Sequence, residues 1–216
     1  HLGTPALFEN FPSPFKYTDT TKVLIVNDVK KTDAGQVAAA FRTLFQASGG
    51  GGLGLFTAIN RLRTVHDRIA SDLDQSGIEL LAQHVDPLDI GTLVDIFRAE
   101  EDACLLGTDA VRDGVDVPGR SLRLIVFDRV PWPRPTILHR ARRSQFGGSK
   151  HDEMLCRMRL KQAYGRLIRR NTDHGIFVML DGAMPSRLLD AFPEGVEVIR
   201  TGLAEAAEIT REFLAR

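Results

Sequence analysis

The sequence predicts an α/β fold in which a parallel sheet carries helices on both faces. Three observations lead there. Seven short apolar or β-branched runs, Lys22 to Val26, Leu53 to Thr57, Ile78 to Gln83, Ala103 to Leu106, Leu122 to Phe127, Ile176 to Leu180 and Val196 to Ile199, have the length and composition of buried strands. Amphipathic stretches at 34–47, 59–74, 88–100, 152–170 and 202–215 read as helices. The two kinds alternate through most of the chain, the pattern of a parallel sheet covered on both sides. In such sheets ligands gather beyond the carboxyl ends of the strands, which is where chemistry is expected.

Each bulk property narrows the class. A chain of 216 residues buries one substantial core. With 43% apolar and 26% charged residues it has an ordinary globular composition, and no apolar run approaches the ~18 residues of a membrane span. The N-terminus, with Pro5, Pro12 and Pro14 among scattered aromatics, lacks the basic lead and apolar stretch of a signal peptide, so a cytoplasmic location is expected. The chain starts at His1 rather than Met, which reads as a piece of a longer protein. Cys104 and Cys156 fall in a strand and a helix without close spacing, and the six histidines form no ligand pair, so neither a disulfide framework nor a metal site is expected.

Net charge is zero but unevenly spread. Between Arg129 and Arg170 stand twelve basic residues, Arg140, Arg142 and Arg143 among them, against only Asp152 and Glu153. The stretch reads either as a phosphate-facing surface or as a solvated helix face balanced by acids elsewhere. Trp132, within Val130-Pro131-Trp132-Pro133-Arg134-Pro135, reads first as the anchor of a proline-stiffened crossover and second as a base-stacking platform.

Gly49 to Gly52, with Gly54, invites a phosphate-loop reading that fails on order. A phosphate loop follows a strand and carries Lys then Ser/Thr, whereas this cluster precedes its strand and no Gly-Lys-Ser/Thr occurs anywhere. A flexible connection between helix and strand is the better reading. No acidic box for magnesium is present either.

Two segments carry candidate chemistry. The first, Leu105 to Gly119, leaves a hydrophobic strand and crosses to the next through Gly107, Gly114, Pro118 and Gly119, bearing Thr108, Asp109, Asp113 and Asp116, all expected at the sheet's carboxyl edge. Alone, it reads equally as a holder of nucleotide or sugar-phosphate and as a run of Asp-Gly turns. The second is Gln162-Ala163-Tyr164-Gly165-Arg166-Leu167-Ile168-Arg169-Arg170. At ~100° per residue Leu160, Ala163, Tyr164, Leu167 and Ile168 share one side, and Gln162, Gly165, Arg166 and Arg169 the other. One face is thus buried while an amide and two guanidiniums flank a glycine clearing on the opposite face, and guanidinium forks suit phosphate oxygens.

In this order and spacing the two segments resemble motifs V and VI of superfamily 2 helicases of the DinG/XPD group. Gly107 to Asp116 is similar to motif V, with Asp113 where Glu is usual and Arg112 where an aromatic or small residue is frequent. Gln162 to Arg169 matches the motif VI pattern Gln-x-x-Gly-Arg-x-Ile-Arg. Leu55-Phe56-Thr57 with Asn60 resembles motif IV, and Ser13-Pro14-Phe15-Lys16-Tyr17 the family's entry to its second lobe. The resemblance runs from about Pro12 to the end. It implies a RecA-like, P-loop NTPase-like second motor lobe over residues 19–216, preceded by an extended entry segment at 1–18.

It also implies roles. Arg166 and Arg169 would act as arginine fingers on ATP and Gln162 would orient the same site. Gly114, Asp116, Asp113 and Gly165 would border the nucleotide, while Thr57, Asn60 and Thr108 would hold the backbone of single-stranded DNA. ATP and Mg would be held mainly by a first motor lobe of the same full-length protein, as would any iron–sulfur cluster, for which two isolated cysteines are insufficient. A rival is a non-catalytic RecA-like module for nucleic acid or protein; intact Gln162, Arg166 and Arg169 count against it. A small-molecule enzyme on a Rossmann-like sheet lacks both the Gly-x-Gly-x-x-Gly turn and a nucleophile with a base.

Overall fold

A computed structural model describes residues 16–109, 111, 116–170 and 172–215. Ser13, Pro14 and Phe15 of the entry segment, and Arg112, Asp113 and Gly114 of the crossing loop, lie outside them. A short helix α1 (Tyr17–Thr20) leads into β1 (Thr21–Val26). Then come α2 (Ala34–Ser48), β2 (Gly52–Leu55), α3 (Ile59–Gln75), β3 (Leu80–Ala82), α4 (Ile90–Ala99) and β4 (Cys104–Gly107). After the crossing loop a 3-10 turn (Gly119–Ser121) enters β5 (Leu124–Phe127). α5 (Ile137–Gln145), α6 (Ser149–Tyr164), β6 (Gly175–Met179), a second 3-10 segment (Ser186–Ala191), β7 (Glu197–Thr201) and α7 (Leu203–Leu214) complete the order.

The seven strands form one sheet in the order β3-β4-β2-β5-β6-β1-β7, with every pairing parallel. All seven predicted strands are present, shifted by a residue or two at their ends. Side-chain alternation divides the core into two layers. Val23, Ile25, Ile125, Phe127, Phe177 and Met179 face α4, α6 and the second 3-10 segment. Leu24, Val26, Leu124, Val126, Ile176 and Val178 face α2, α3 and α7. Asp33 and Asp89 cap α2 and α4 by accepting from the first free backbone N–H groups; these bonds hold the Asp33 carboxyl below its ordinary range, and the Thr92 hydroxyl together with the backbone N–H groups does the same for Asp89. Among the described residues no helix is long and apolar enough to cross a membrane.

Three expectations are corrected here. The helix predicted over 152–170 runs from Ser149 to Tyr164 and stops at Gly165. The chain continues in tight turns, Arg166 N donating to Ala163 O at 3.0 Å and Leu167 N to Tyr164 O at 3.0 Å. Leu167 and Ile168 are buried, as the helical wheel requires, although the helix has ended. Beyond these turns Asp173 Oδ2 accepts from Arg169 N and Arg170 N, both at 2.8 Å, giving these amides a partner outside any helix ladder.

The glycine cluster is a close-packed joint rather than a flexible connection. Gly49 ends α2 in the left-handed region at φ 63°. A Cβ on Gly50 would stand 2.0 Å from Asp102 O, and one on Gly54 2.6 Å from Leu106 Cδ2. The third correction is α5, absent from the sequence reading. It buries no residue, so no apolar periodicity marked it, and Thr136 caps it by accepting from His139 N.

Candidate functional site

Because the sheet is parallel, its two edges are chemically distinct, and the predicted residues divide between them. At the carboxyl edge Thr57 stands two residues past the end of β2 and Thr108 directly follows β4. Thr108 donates through both its backbone N and its Oγ1 to Gln83 Oε1, at 2.9 Å each. Thr57 N donates to Asp128 Oδ1 at 3.3 Å, and Arg134 donates to Thr57 O. A cleft of about 680 Å³ opens beside Thr108, walled by Gln83, Asp109, Arg134, Arg142 and Arg159. Arg159 also donates to Pro131 O at 2.9 Å and ties down the loop of the partly exposed Trp132. Asn60 stands apart, exposed in the first turn of α3 beside a separate small hollow with Ala34, Arg61 and Thr64.

Sequence reasoning missed what holds this edge. Asp128, fully buried at the end of β5, accepts from Arg61 Nε at 2.6 Å and lies 3.4 Å from Arg129 Nε. Burial pushes its carboxyl above the ordinary range, and the hydrogen bond and charge of Arg61 only partly offset that. His84, just past β3, has φ 68°, an uncommon conformation for a non-glycine residue. Its carbonyl accepts from Arg63 Nε and Nη2 at 3.2 and 3.0 Å. Neither Asp128 nor His84 carries a motif; only a strand ending in an acid hinted at the first.

The arginines and Asp116 lie at the other edge. This departs from the expectation that Asp116 joins Thr108 and Asp109 at the carboxyl ends of the strands. The reason is topological: a parallel β5 must be entered from its amino end, so the segment leaving β4 has returned across the sheet by Asp116. There Asp116 Oδ1 pairs with Arg169 Nε at 3.1 Å, and Asp116 O accepts from Arg98 Nε and Nη2 at 3.2 and 3.1 Å. Asp116 is 70% and Arg169 35% exposed in their side chains, so the pair opens onto solvent. Gln162 and Gly165 are exposed and Arg166 half-buried, on the side opposite buried Ala163, Tyr164 and Leu167. An adjoining depression of about 620 Å³ is lined by Arg98, Arg120, Arg123, Arg170 and Asp173.

These guanidiniums do not all have one use. Arg123, nearly buried, spends its donors on the carbonyls of Ser48, Gly49, Glu101 and Arg120 and on Asp102, so it fastens the glycine joint to β5. Arg169, paired with Asp116 at a solvent-open edge, and half-buried Arg166 three residues before it carry the planar fork that suits a polyphosphate approaching from outside the lobe. Among the described residues no three His, Cys, Asp or Glu side chains converge on a metal. Burial pushes the thiols of Cys104 and Cys156 up to about 12, away from the thiolate form that reacts.

The helicase C-terminal domain family model matches residues 41–197. The chain is 36% identical over 152 residues to the ATP-dependent helicase DinG of Mycobacterium tuberculosis, covering 65% of this chain and 22% of that protein. It is 29% identical over 200 residues to the 3'-5' exonuclease DinG of Bacillus subtilis, covering 84% of this chain and 22% of that one. A solved XPD helicase structure superposes with a TM-score of 0.62 at 16% identity, over 83% of this chain and 35% of that one. The chain therefore spans about a fifth of the length of these two curated relatives.

Proposed function

Since this chain belongs to the helicase C-terminal domain family, as a RecA-like lobe of the DinG/XPD type, we propose that it is the second motor lobe of an ATP-dependent DNA helicase. On this reading it completes an ATP site whose phosphate loop and magnesium ligands belong to a first lobe of the same protein. The observation that carries the reading is the Asp116–Arg169 contact at 3.1 Å, which joins the crossing loop to the arginine-bearing turn at a solvent-open edge.

ATP bound between the lobes supplies the phosphoanhydride whose cleavage drives the motor. Arg166 and Arg169 offer their forks to the phosphoryl oxygens, where charge spreads as the bond breaks, and such fingers are worth roughly 10³ to 10⁵ in rate. Gln162 presents its amide to the same oxygens. Asp116, with Gly114, Asp113 and Gly165, borders the nucleotide, its carboxylate placed to accept from a hydroxyl or to hold Arg169 back between cycles. At the carboxyl edge Thr57 and Thr108, with Asn60 at the flank, take the phosphodiester backbone of single-stranded DNA, a grip indifferent to base sequence. The exposed arginines of α5, Arg140, Arg142 and Arg143, add a sequence-independent attraction.

The crossing loop links the two edges, leaving Thr108 at one and arriving at Asp116 at the other. Lobe closure on nucleotide therefore pulls on the DNA grip through a single stretch of chain. The experiment is steady-state ATP hydrolysis by the full-length protein with and without single-stranded DNA. Turnover is expected to rise many-fold when DNA is added; turnover indifferent to DNA, or none at all, would count against the proposal.

A further inference from the structure

Asp116 poses a physical question. Its side chain is 70% exposed and the residues around it, 116–118, form no regular structure, yet its carboxylate meets Arg169 at 3.1 Å. An exposed ion pair contributes too little to hold itself in place, so some other contact must fix the backbone of Asp116. That contact is Arg98, in the last turn of α4. Its Nε and Nη2 both donate to Asp116 O, at 3.2 and 3.1 Å, while Nη1 is turned aside by Asp95 at 2.7 Å. The backbone of Arg98 is pinned in turn, its carbonyl accepting from Ser121 Oγ at 3.0 Å. Arg169 is thus held at both ends, its backbone N–H by Asp173 and its guanidinium by an acid whose carbonyl sits in the fork of Arg98.

We propose that Arg98 is a positioning residue for ATP hydrolysis: its fork fixes the carbonyl of Asp116 so that the Asp116 carboxylate sets where the Arg169 guanidinium waits before the lobes close. This rests on the proposed motor function. Lysine does not replace it, because an ammonium cannot hold one carbonyl with two parallel donors while engaging Asp95 with a third. Arg98 touches no reacting atom, and its effect passes through Asp116 to Arg169. Its side chain is 45% exposed, so its role in stability is small.

The test uses the full-length protein carrying Arg98→Met, Arg98→Lys, Asp116→Ala or the Arg98→Met/Asp116→Ala pair, with DNA-stimulated kcat, the Kd for single-stranded DNA and Tm measured for each. Arg98→Met is expected to lower kcat about tenfold, the scale of losing a solvent-exposed charge-assisted hydrogen bond, and Arg98→Lys a few-fold. The Kd is expected to stay within twofold. In the Asp116→Ala background Arg98→Met should add less than twofold, because the carboxylate through which it acts is gone. Unchanged kcat in Arg98→Met and Arg98→Lys overturns the proposal. So does an undiminished further loss in the Asp116→Ala background, or a fall in kcat, DNA affinity and Tm together, which marks a merely structural role. If Arg98→Met does not fold, the Lys variant decides on the same readouts. Should Arg169→Ala leave turnover intact, the motor reading itself fails; should Arg169→Ala abolish turnover while Arg98→Met is neutral, only this inference fails.

Discussion

Replacing Arg169 with Ala in the full-length protein is expected to lower DNA-stimulated kcat for ATP by about 10³-fold or more, within the range of arginine-finger deletions. The expectation follows from where the residue stands. Asp173 fixes its backbone at 2.8 Å, and its guanidinium reaches the largely exposed Asp116 at an open edge of the sheet. An exposed ion pair exchanges easily for a phosphate, since water and salt already screen most of its attraction. The contribution comes mainly in the transition state, so KM for ATP should change far less than kcat. Arg169→Lys should recover little, because the planar fork rather than the charge matches spreading phosphoryl oxygens. On the proposed function, single-stranded DNA is held at the opposite edge, so its binding should persist. A loss of less than tenfold in Arg169→Ala, or an equal loss in DNA affinity, would contradict the role.

The largest effect on stability is expected at the glycine joint. Gly50 has φ 92°, and a Cβ there would sit 2.0 Å from Asp102 O and 2.6 Å from Asp102 C. Both atoms are backbone, so neither can swing away, and the turn before β4 must move. Gly50→Ala combines an unfavourable left-handed backbone with overpacking, together roughly 2 to 5 kcal/mol. Against a total of about 5–15 kcal/mol that is a large share. For a domain of this size it lowers Tm on the order of 10 °C. Gly77 is the control, at φ 73° with nothing within 4 Å of its would-be Cβ. Gly77→Ala should cost only the backbone term. Equal shifts in Tm for the two variants would mean that the close approach at Gly50 carries no energetic weight.

Much of this was legible in the residues. Each buried strand shows as an apolar run because both faces of a parallel sheet are covered, and Leu167 and Ile168 were placed in the core by periodicity alone. Legibility failed where contacts distant in sequence decide. Asp173 takes up the backbone amides of Arg169 and Arg170 after α6 has ended, and Arg98 reaches Asp116 across eighteen positions. Asp128 and Gln83, which hold Thr57 and Thr108, sit at strand ends without a motif to flag them. Helix α5 was invisible because a helix that buries nothing leaves no pattern. The division of the crossing loop between two edges was implicit in a parallel topology, yet the clustering of Thr108, Asp109, Asp113 and Asp116 in sequence drew them to a single edge.

The central claim is that this lobe holds half of an ATP site. Steady-state hydrolysis by the 216-residue lobe alone, at saturating ATP and magnesium with single-stranded DNA present, tests it most directly. No turnover above background is the predicted result, since the phosphate loop and acidic box are absent from this chain. Sustained turnover by the pure lobe that disappears on Arg166→Ala would contradict it.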